Sequence, residues 1–183
     1  MAATPRSGAL KLVLAVLGLL LATACGPAAS KPPPVNAQDV MFTQMMVQHH
    51  RQGIEIARLG AGRATTEQLK ILVAAIASTQ QDEVEMMLRW LHGWDQPLTA
   101  ASGSHDHHGG MPESDRKQIQ ALKKSKSFEH DLMTLLITHQ GDAIKMADVE
   151  VAGGSDPAVK GWAAQVQSSR KAQIDLMKDL LKR

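Results

Sequence analysis

An internal repeat of 90 residues restricts this chain more than any other feature. Sliding the sequence by 90 positions without a gap superposes His49 on His139, Ile54 on Ile144, Ala57 on Ala147, Lys70 on Lys160, Ala74 on Ala164, Ser78 on Ser168, Met87 on Met177 and Leu91 on Leu181. Conservative matches fill the apolar positions between them, with Phe42 on Leu132, Met46 on Leu136, Val47 on Ile137, Ile76 on Val166 and Val84 on Ile174. Identity and hydrophobic pattern are duplicated together, as in a repeated supersecondary unit.

Each copy reads as two helices, because apolar residues recur at intervals of three and four rather than two. Leu69, Leu72, Val73, Ile76, Val84, Met87, Trp90 and Leu91 form one stripe, and Val159, Trp162, Ala163, Val166, Ile174, Met177, Leu180 and Leu181 form its twin. A break falls at Gly60-Ala61-Gly62 in the first copy and at Gly153-Gly154-Ser155-Asp156-Pro157 in the second, where glycines stop a helix and a capping residue with proline starts the next. The spacing predicts four long helices near residues 36–60, 66–93, 126–151 and 157–183. A hairpin of amphipathic helices cannot cover its own apolar face, so hairpins 36–93 and 127–183 should pack as an all-α four-helix bundle. A crossover, residues 95–126, joins them, with a short helix from Ser114 to Lys124. Closing the first hairpin near residue 63 puts position 49 opposite about position 77, and Gln80 and Glu83 near Phe42 to Met46.

Ahead of the repeat, Arg6 and Lys11 precede eleven small or apolar residues, Leu12 to Ala22, and then Thr23-Ala24-Cys25-Gly26. Eleven helical residues cover about 16 Å against a hydrocarbon core of roughly 30 Å, so the stretch is a signal segment and not a span. Ala22-Thr23-Ala24-Cys25 resembles a bacterial lipobox, with alanine where leucine is more usual. The resemblance implies cleavage before Cys25 and lipid on its sulfur. Residues 1–24 are then the signal peptide, residues 25–35 a lipidated, proline-rich tether, and residues 36–183 the folded domain. The protein is expected to be exported and held on the outer face of the cell membrane; a plain secretory signal is the alternative. Cys25 is the only cysteine, so disulfides play no part in the fold. Removing Arg6 and Lys11 leaves 18 basic against 18 acidic residues, a balance that offers nucleic acid no footprint.

The run from Asp39 to His50, DVMFTQMMVQHH, followed by Ile54-Glu55-Ile56-Ala57, resembles the first signature of domain of unknown function family 305. Phe128 to Ala147 resembles its second signature and Val84 to Leu91 its closing helix, so the likeness spans residues 36–183. It implies a ferritin-like four-helix bundle, commonly exported, with some members that bind copper or silver.

The residues carry their own argument for metal. Met46 lies three residues before His49 and four before His50, and Met45 lies four before His49, so thioether and imidazole share a helical face. That pairing suits a soft ion such as Cu(I). Methionine at core spacing is also ordinary packing, and a histidine on that stripe can be a satisfied core residue. The second copy keeps His139 and Met146 as donors but has Gln140, Leu135 and Leu136 where the first has His50, Met45 and Met46, so one principal site is expected. Glu83 either completes that site or pairs with Arg170 across the two copies. His105, His107 and His108 in the crossover form a short tract suited to looser binding of divalent copper, nickel or zinc. Glu-x-x-His, which a di-iron bundle needs on two helices, does not occur, so no di-iron centre is expected. Without a nucleophile-base pair, phosphate loop or closed zinc motif the chain does not read as an enzyme. A membrane-tethered copper-binding or copper-buffering protein is the leading expectation. A structural or protein-interaction lipoprotein with core histidines is the alternative.

Overall fold

The computed structural model describes residues 35–100 and 114–182. Among these residues there are five helices and no strand: α1 (Ala37–Arg63), α2 (Glu67–Gly93), α3 (Ser114–Lys123), α4 (Phe128–Gly153) and α5 (Pro157–Leu180). Helix α1 packs along α2 and α4 along α5; α1 also packs against α4, and the short α3 lies against α4 and α1. The signal segment, Cys25, the tether up to Pro34 and the tract with His105, His107 and His108 lie outside the described residues. No helix among the described residues is long and apolar enough to cross a membrane.

The ends of the helices follow from local chemistry. Asn36 and Asp39 form a capping box at the start of α1. At the start of α5 the Asp156 carboxylate accepts from the N–H groups of Ala158 and Val159, with Pro157 in the first turn. Thr66, at the start of α2, makes no side-chain cap of its own. Glu129 of α4 replaces it, accepting from the N–H groups of Thr65 and Thr66 and from both threonine hydroxyls. Chiefly through the Thr66 hydroxyl and N–H, these bonds bring the Glu129 pKa down to about 2. The same clamp recurs 90 residues away, where Asp39 accepts from the N–H groups of Ser155 and Asp156. An acidic residue at the start of each first helix thus ties down the turn of the opposite helix pair.

One sequence expectation fails at the first turn. Gly60-Ala61-Gly62 does not break the helix, which runs on to Arg63 and ends where the Ala64 N–H bonds to the Gly60 carbonyl. Gly60 serves close packing: a Cβ there would sit 2.7 Å from Leu132 Cδ2 and 3.0 Å from Val73 Cγ1. Arg63 holds the last turn by donating to the Leu122 and Lys123 carbonyls and stacking 4.0 Å over the Phe128 ring. Moving the turn toward Thr66 also moves the helix register, which pairs His50 with Glu83 and sets Gln80 against Gly53. Neither residue falls opposite Phe42 to Met46 as the shorter helix had implied.

These two glycines make a paired test of the packing. Gly62 has nothing within 4 Å of a Cβ, so Gly62→Ala should stabilise the protein by about 0.5–1 kcal/mol through helix propensity. Gly60→Ala should instead cost about 1–3 kcal/mol by overpacking. Urea denaturation midpoints of the two variants should move in opposite directions.

Buried apolar residues fall into two clusters. One gathers Ile56, Leu69, Val73, Ile76, Leu132, Leu136 and Met177, with Ile119 and Leu122 of α3. The other gathers Phe42, Met46, Val47, Val84, Met87, Leu91, Ala143 and Trp162. Between them each long helix contributes polar residues: His49 and His50 from α1, Gln80 and Glu83 from α2, His139 and Gln140 from α4, Arg170 and Gln173 from α5. This polar layer crosses the core at mid-height.

Candidate metal centre

Gly53 opens the space in which the layer assembles. A Cβ on it would lie 2.2 Å from Gln80 Oε1 and 2.6 Å from His139 Nε2, so only glycine lets α1 approach these two side chains. His49, from the turn before, stacks on His139, the residue 90 positions later, with ring centroids 3.7 Å apart and planes 16° from parallel. His50 lies beside them, 6.1 Å from His49 between centroids, and sets an edge against Trp162. All three imidazoles are buried, at 2 %, 0 % and 3 % exposure for His49, His50 and His139.

Burial controls their protonation. Desolvation drives His139 down to about 3, helped by the nearby His50 and Arg170. It also holds His49 well below the usual histidine range, aided by His139 and His50. For His50 the same desolvation outweighs the upward pull of Glu83. All three rings are therefore neutral near pH 7 and keep a nitrogen lone pair. Both ring nitrogens of His49, Nδ1 of His50 and Nε2 of His139 are buried without a hydrogen-bond partner.

The rest of the layer is two hydrogen-bonded chains related by the 90-residue offset. In one, Arg170 Nη2 donates to Glu83 Oε2, which also meets His50 Nε2 at 2.7 Å, while Arg170 Nη2 lies 3.4 Å from that nitrogen. In the other, Gln80 Nε2 donates to Gln140 Oε1 at 3.5 Å and Gln140 Nε2 to Gln173 Oε1 at 2.5 Å. Gln80, Gln140 and Gln173 occupy the positions equivalent to Arg170, His50 and Glu83. One chain is ionic and holds an imidazole; the other is built of amides.

The structure sorts the candidate donors. It brings His49, His50 and His139 together. Met46 is fully buried within the second apolar cluster, and Met146 is half-buried against the same cluster. Met45 is buried but belongs to neither cluster. Glu83 is engaged by Arg170 and His50. Among the described residues no three His, Cys, Asp or Glu side chains stand as a ready ligand set. Parallel stacked rings direct their lone pairs in separate planes, so an ion shared by His49 and His139 requires one ring to turn. The sequence reading did not include Gln140 and Gln173 as a pair or Gly53 as the opening; the offset of 90 applied to His50, Glu83 and Arg170 would have found the amide chain.

The family described as Domain of unknown function (DUF305) matches residues 39–181. No curated protein sequence matches the chain. Among solved structures, the chain is similar to a DUF305 protein of Streptomyces coelicolor, a candidate secreted protein, at 28% identity and a TM-score of 0.74, covering 79% of this chain and 92% of that one. It is similar to a DUF305 fragment from Deinococcus radiodurans at 26% identity and a TM-score of 0.71, covering 82% and 99%. It is similar also to CopM in its Cu(I)-bound form at 25% identity and a TM-score of 0.67, covering 79% and 95%; CopM has been solved with Cu(II) and with silver as well.

Proposed function

This chain belongs to the DUF305 family, and from that premise we propose that it is a membrane-tethered, extracytoplasmic protein that binds and buffers copper as Cu(I). The observation that carries the proposal is the set of unpartnered nitrogens on three neutral, buried imidazoles in one layer of the core. Burying polar atoms without partners costs free energy, and an imidazole lone pair kept free of protons is what a soft cation binds. Copper bound by CopM, a structural neighbour, supports the same reading. His49, His50 and His139 are the imidazole donors, with Met45 and Met46 as thioether candidates one helical turn before His49 and His50, and Met146 more distant. The chain acts by holding the ion and not as an enzyme.

We also propose that the four long helices are a ferritin-like four-helix bundle made by duplicating one hairpin. The acidic clamps and the hydrogen-bonded chains that recur at an offset of 90 support this. Export with lipid on Cys25 rests on the N-terminal sequence, alongside a neighbour described as a candidate secreted protein. Cys25→Ala should release the protein from the membrane fraction and abolish lipid labelling; unchanged partition and labelling would rule the anchor out.

Copper binding is tested by competition with a chromogenic Cu(I) chelator. The mature protein should withdraw Cu(I) from the chelator at close to one ion per chain in the helical domain. A His49→Gln, His50→Gln, Met46→Leu variant should lose affinity by more than about 100-fold, since even outer-shell partners are worth about 10–100-fold, while keeping its helicity. Substitution of His105, His107 and His108 should mainly weaken divalent metals. The stacked rings and the His50 bond to Glu83 favour a rival reading in which these histidines are structural; a wild type that fails to compete establishes it.

A further inference from the structure

We propose that Glu83 is a positioning residue for His50, fixing the ring as its Nε2–H tautomer so that Nδ1 is the lone pair offered to a soft cation, with Arg170 holding the carboxylate in place. The inference rests on the copper reading above and names the residues that prepare one of its donors.

The geometry dictates the tautomer. His50 Nε2 lies 2.7 Å from Glu83 Oε2. The same oxygen accepts from the Arg170 guanidinium, and a carboxylate paired with a guanidinium is ionised. An ionised carboxylate only accepts, so the proton of the neutral ring must sit on Nε2. Nδ1, buried and without a partner, then carries the lone pair. Arg170 is itself fully buried, and its Nη2 donates to the same Glu83 oxygen, which keeps the carboxylate aimed at His50.

The second copy supplies the internal control. There Gln80 donates to Gln140 and Gln140 to Gln173, the counterparts of the Arg170–His50 and Glu83–His50 contacts, with no charge at all, while the Arg170–Glu83 pair is particular to the side that holds His50. Burying an ion pair costs more hydration than burying a neutral pair, and the amide chain shows that this level of the core packs without ions. Arg170 and Glu83 differ from their counterparts only on the side where an imidazole stands in place of Gln140. Their charges therefore serve that imidazole, in the manner of outer-shell carboxylates that orient a ligating histidine.

The test uses the metal-free and Cu(I)-loaded mature protein, with long-range ¹H–¹⁵N correlation of the histidine rings beside the chelator competition. Wild-type His50 should show a protonated Nε2 and a bare Nδ1. Glu83→Leu with Arg170→Met removes both charges together, so no ion is left buried alone. In that variant the tautomer preference of His50 should disappear and Cu(I) affinity should fall by about 10–100-fold. Glu83→Gln with Arg170→Gln, copying the amide chain, keeps an acceptor and a donor and should recover part of both. A wild-type His50 protonated on Nδ1 overturns the proposal. So does a Glu83→Leu, Arg170→Met variant that loses affinity with its tautomer unchanged, or loses its tautomer with affinity unchanged. A wild type that shows the Nε2–H ring yet binds no Cu(I) overturns the copper reading instead and leaves the lock a structural one.

Discussion

Metal-free protein taken from pH 7 to pH 5 is expected to lose stability steeply, because three buried imidazoles stay neutral in the fold and take up protons once it opens. Burial lowers all three, His139 to about 3 and His49 well below the ordinary value of 6.5, with His50 shifted in the same direction. Each folded-state pKa lies below the unfolded one, so below pH 6.5 the unfolded chain binds more protons and stability falls with pH. One group contributes about 1.4 kcal/mol per pH unit, so the three together approach about 4 kcal/mol per pH unit, of which Glu150, holding in the fold a proton that it releases on unfolding, offsets about 1.4. A domain has only about 5–15 kcal/mol in total. Urea midpoints recorded from pH 7 to pH 5 should therefore fall steeply, with acid unfolding at the low end. The His49→Gln, His139→Gln variant should lose about two-thirds of the imidazole contribution, which leaves a midpoint nearly independent of pH over the same interval. A wild-type midpoint that does not move would mean that the rings protonate inside the fold, which contradicts their burial and the ligand role proposed for them.

The helices were legible in the sequence because a period of three and four is a local property, and the repeat was legible because duplication preserved it twice. What the sequence concealed lies in contacts between distant residues. Gly60 carries the composition of a break, yet its missing Cβ is used for contact with Leu132 and Val73, and only the packed partner reveals that. The same error of a few residues at the first turn put Gln80 and Glu83 opposite the wrong part of α1. Glu129 reads as an ordinary first-turn acid, but its bonds go to Thr65 and Thr66 of the other helix pair. Of the candidate site, the sequence offered His49, His50 and His139 as candidates, which lie together in the core, and the Glu83–Arg170 pair, which forms. It could not show that His49 and His139 stack, nor that Gln140 and Gln173 reproduce the ionic chain in neutral form, because both depend on how α1 meets α4.

On the alkaline side, one carboxyl group is expected to limit stability, and Glu150→Gln should remove the limit. Glu150 is fully buried near the end of α4. Its carboxyl and that of Asp39 converge on Gly154, where a Cβ would meet Glu150 Oε1 at 2.0 Å and Asp39 Oδ1 at 2.9 Å. The Asp39 oxygens already accept from the N–H groups of Asn36, Ser155 and Asp156. Neither Glu150 oxygen has a hydrogen-bond partner, and a proton on Glu150 supplies the donor that two facing carboxylates lack. Burial first and Asp39 second push the Glu150 pKa up to about 8, with Gln38 and Lys160 pulling the other way. The folded state therefore holds a proton that the unfolded chain, near 4.5, releases. Stability from this group is complete below pH 4.5 and is lost as pH rises through about 8. At about 1.4 kcal/mol per pH unit the loss reaches a few kcal/mol by pH 8. Together with the imidazoles, whose effect acts below pH 6.5, this places the wild-type optimum near about pH 7. A glutamine at position 150 is neutral at every pH and can donate to Asp39 through its amide. Glu150→Gln should come close to wild type near pH 5, exceed it by a few kcal/mol at pH 9, and steepen the rise between pH 5 and 7 by about 1.4 kcal/mol per pH unit, because Glu150 opposes the imidazoles there. Equal midpoints for the two proteins across pH 5 to 9 would mean that Glu150 is ionised in the fold and that its proton is not shared with Asp39.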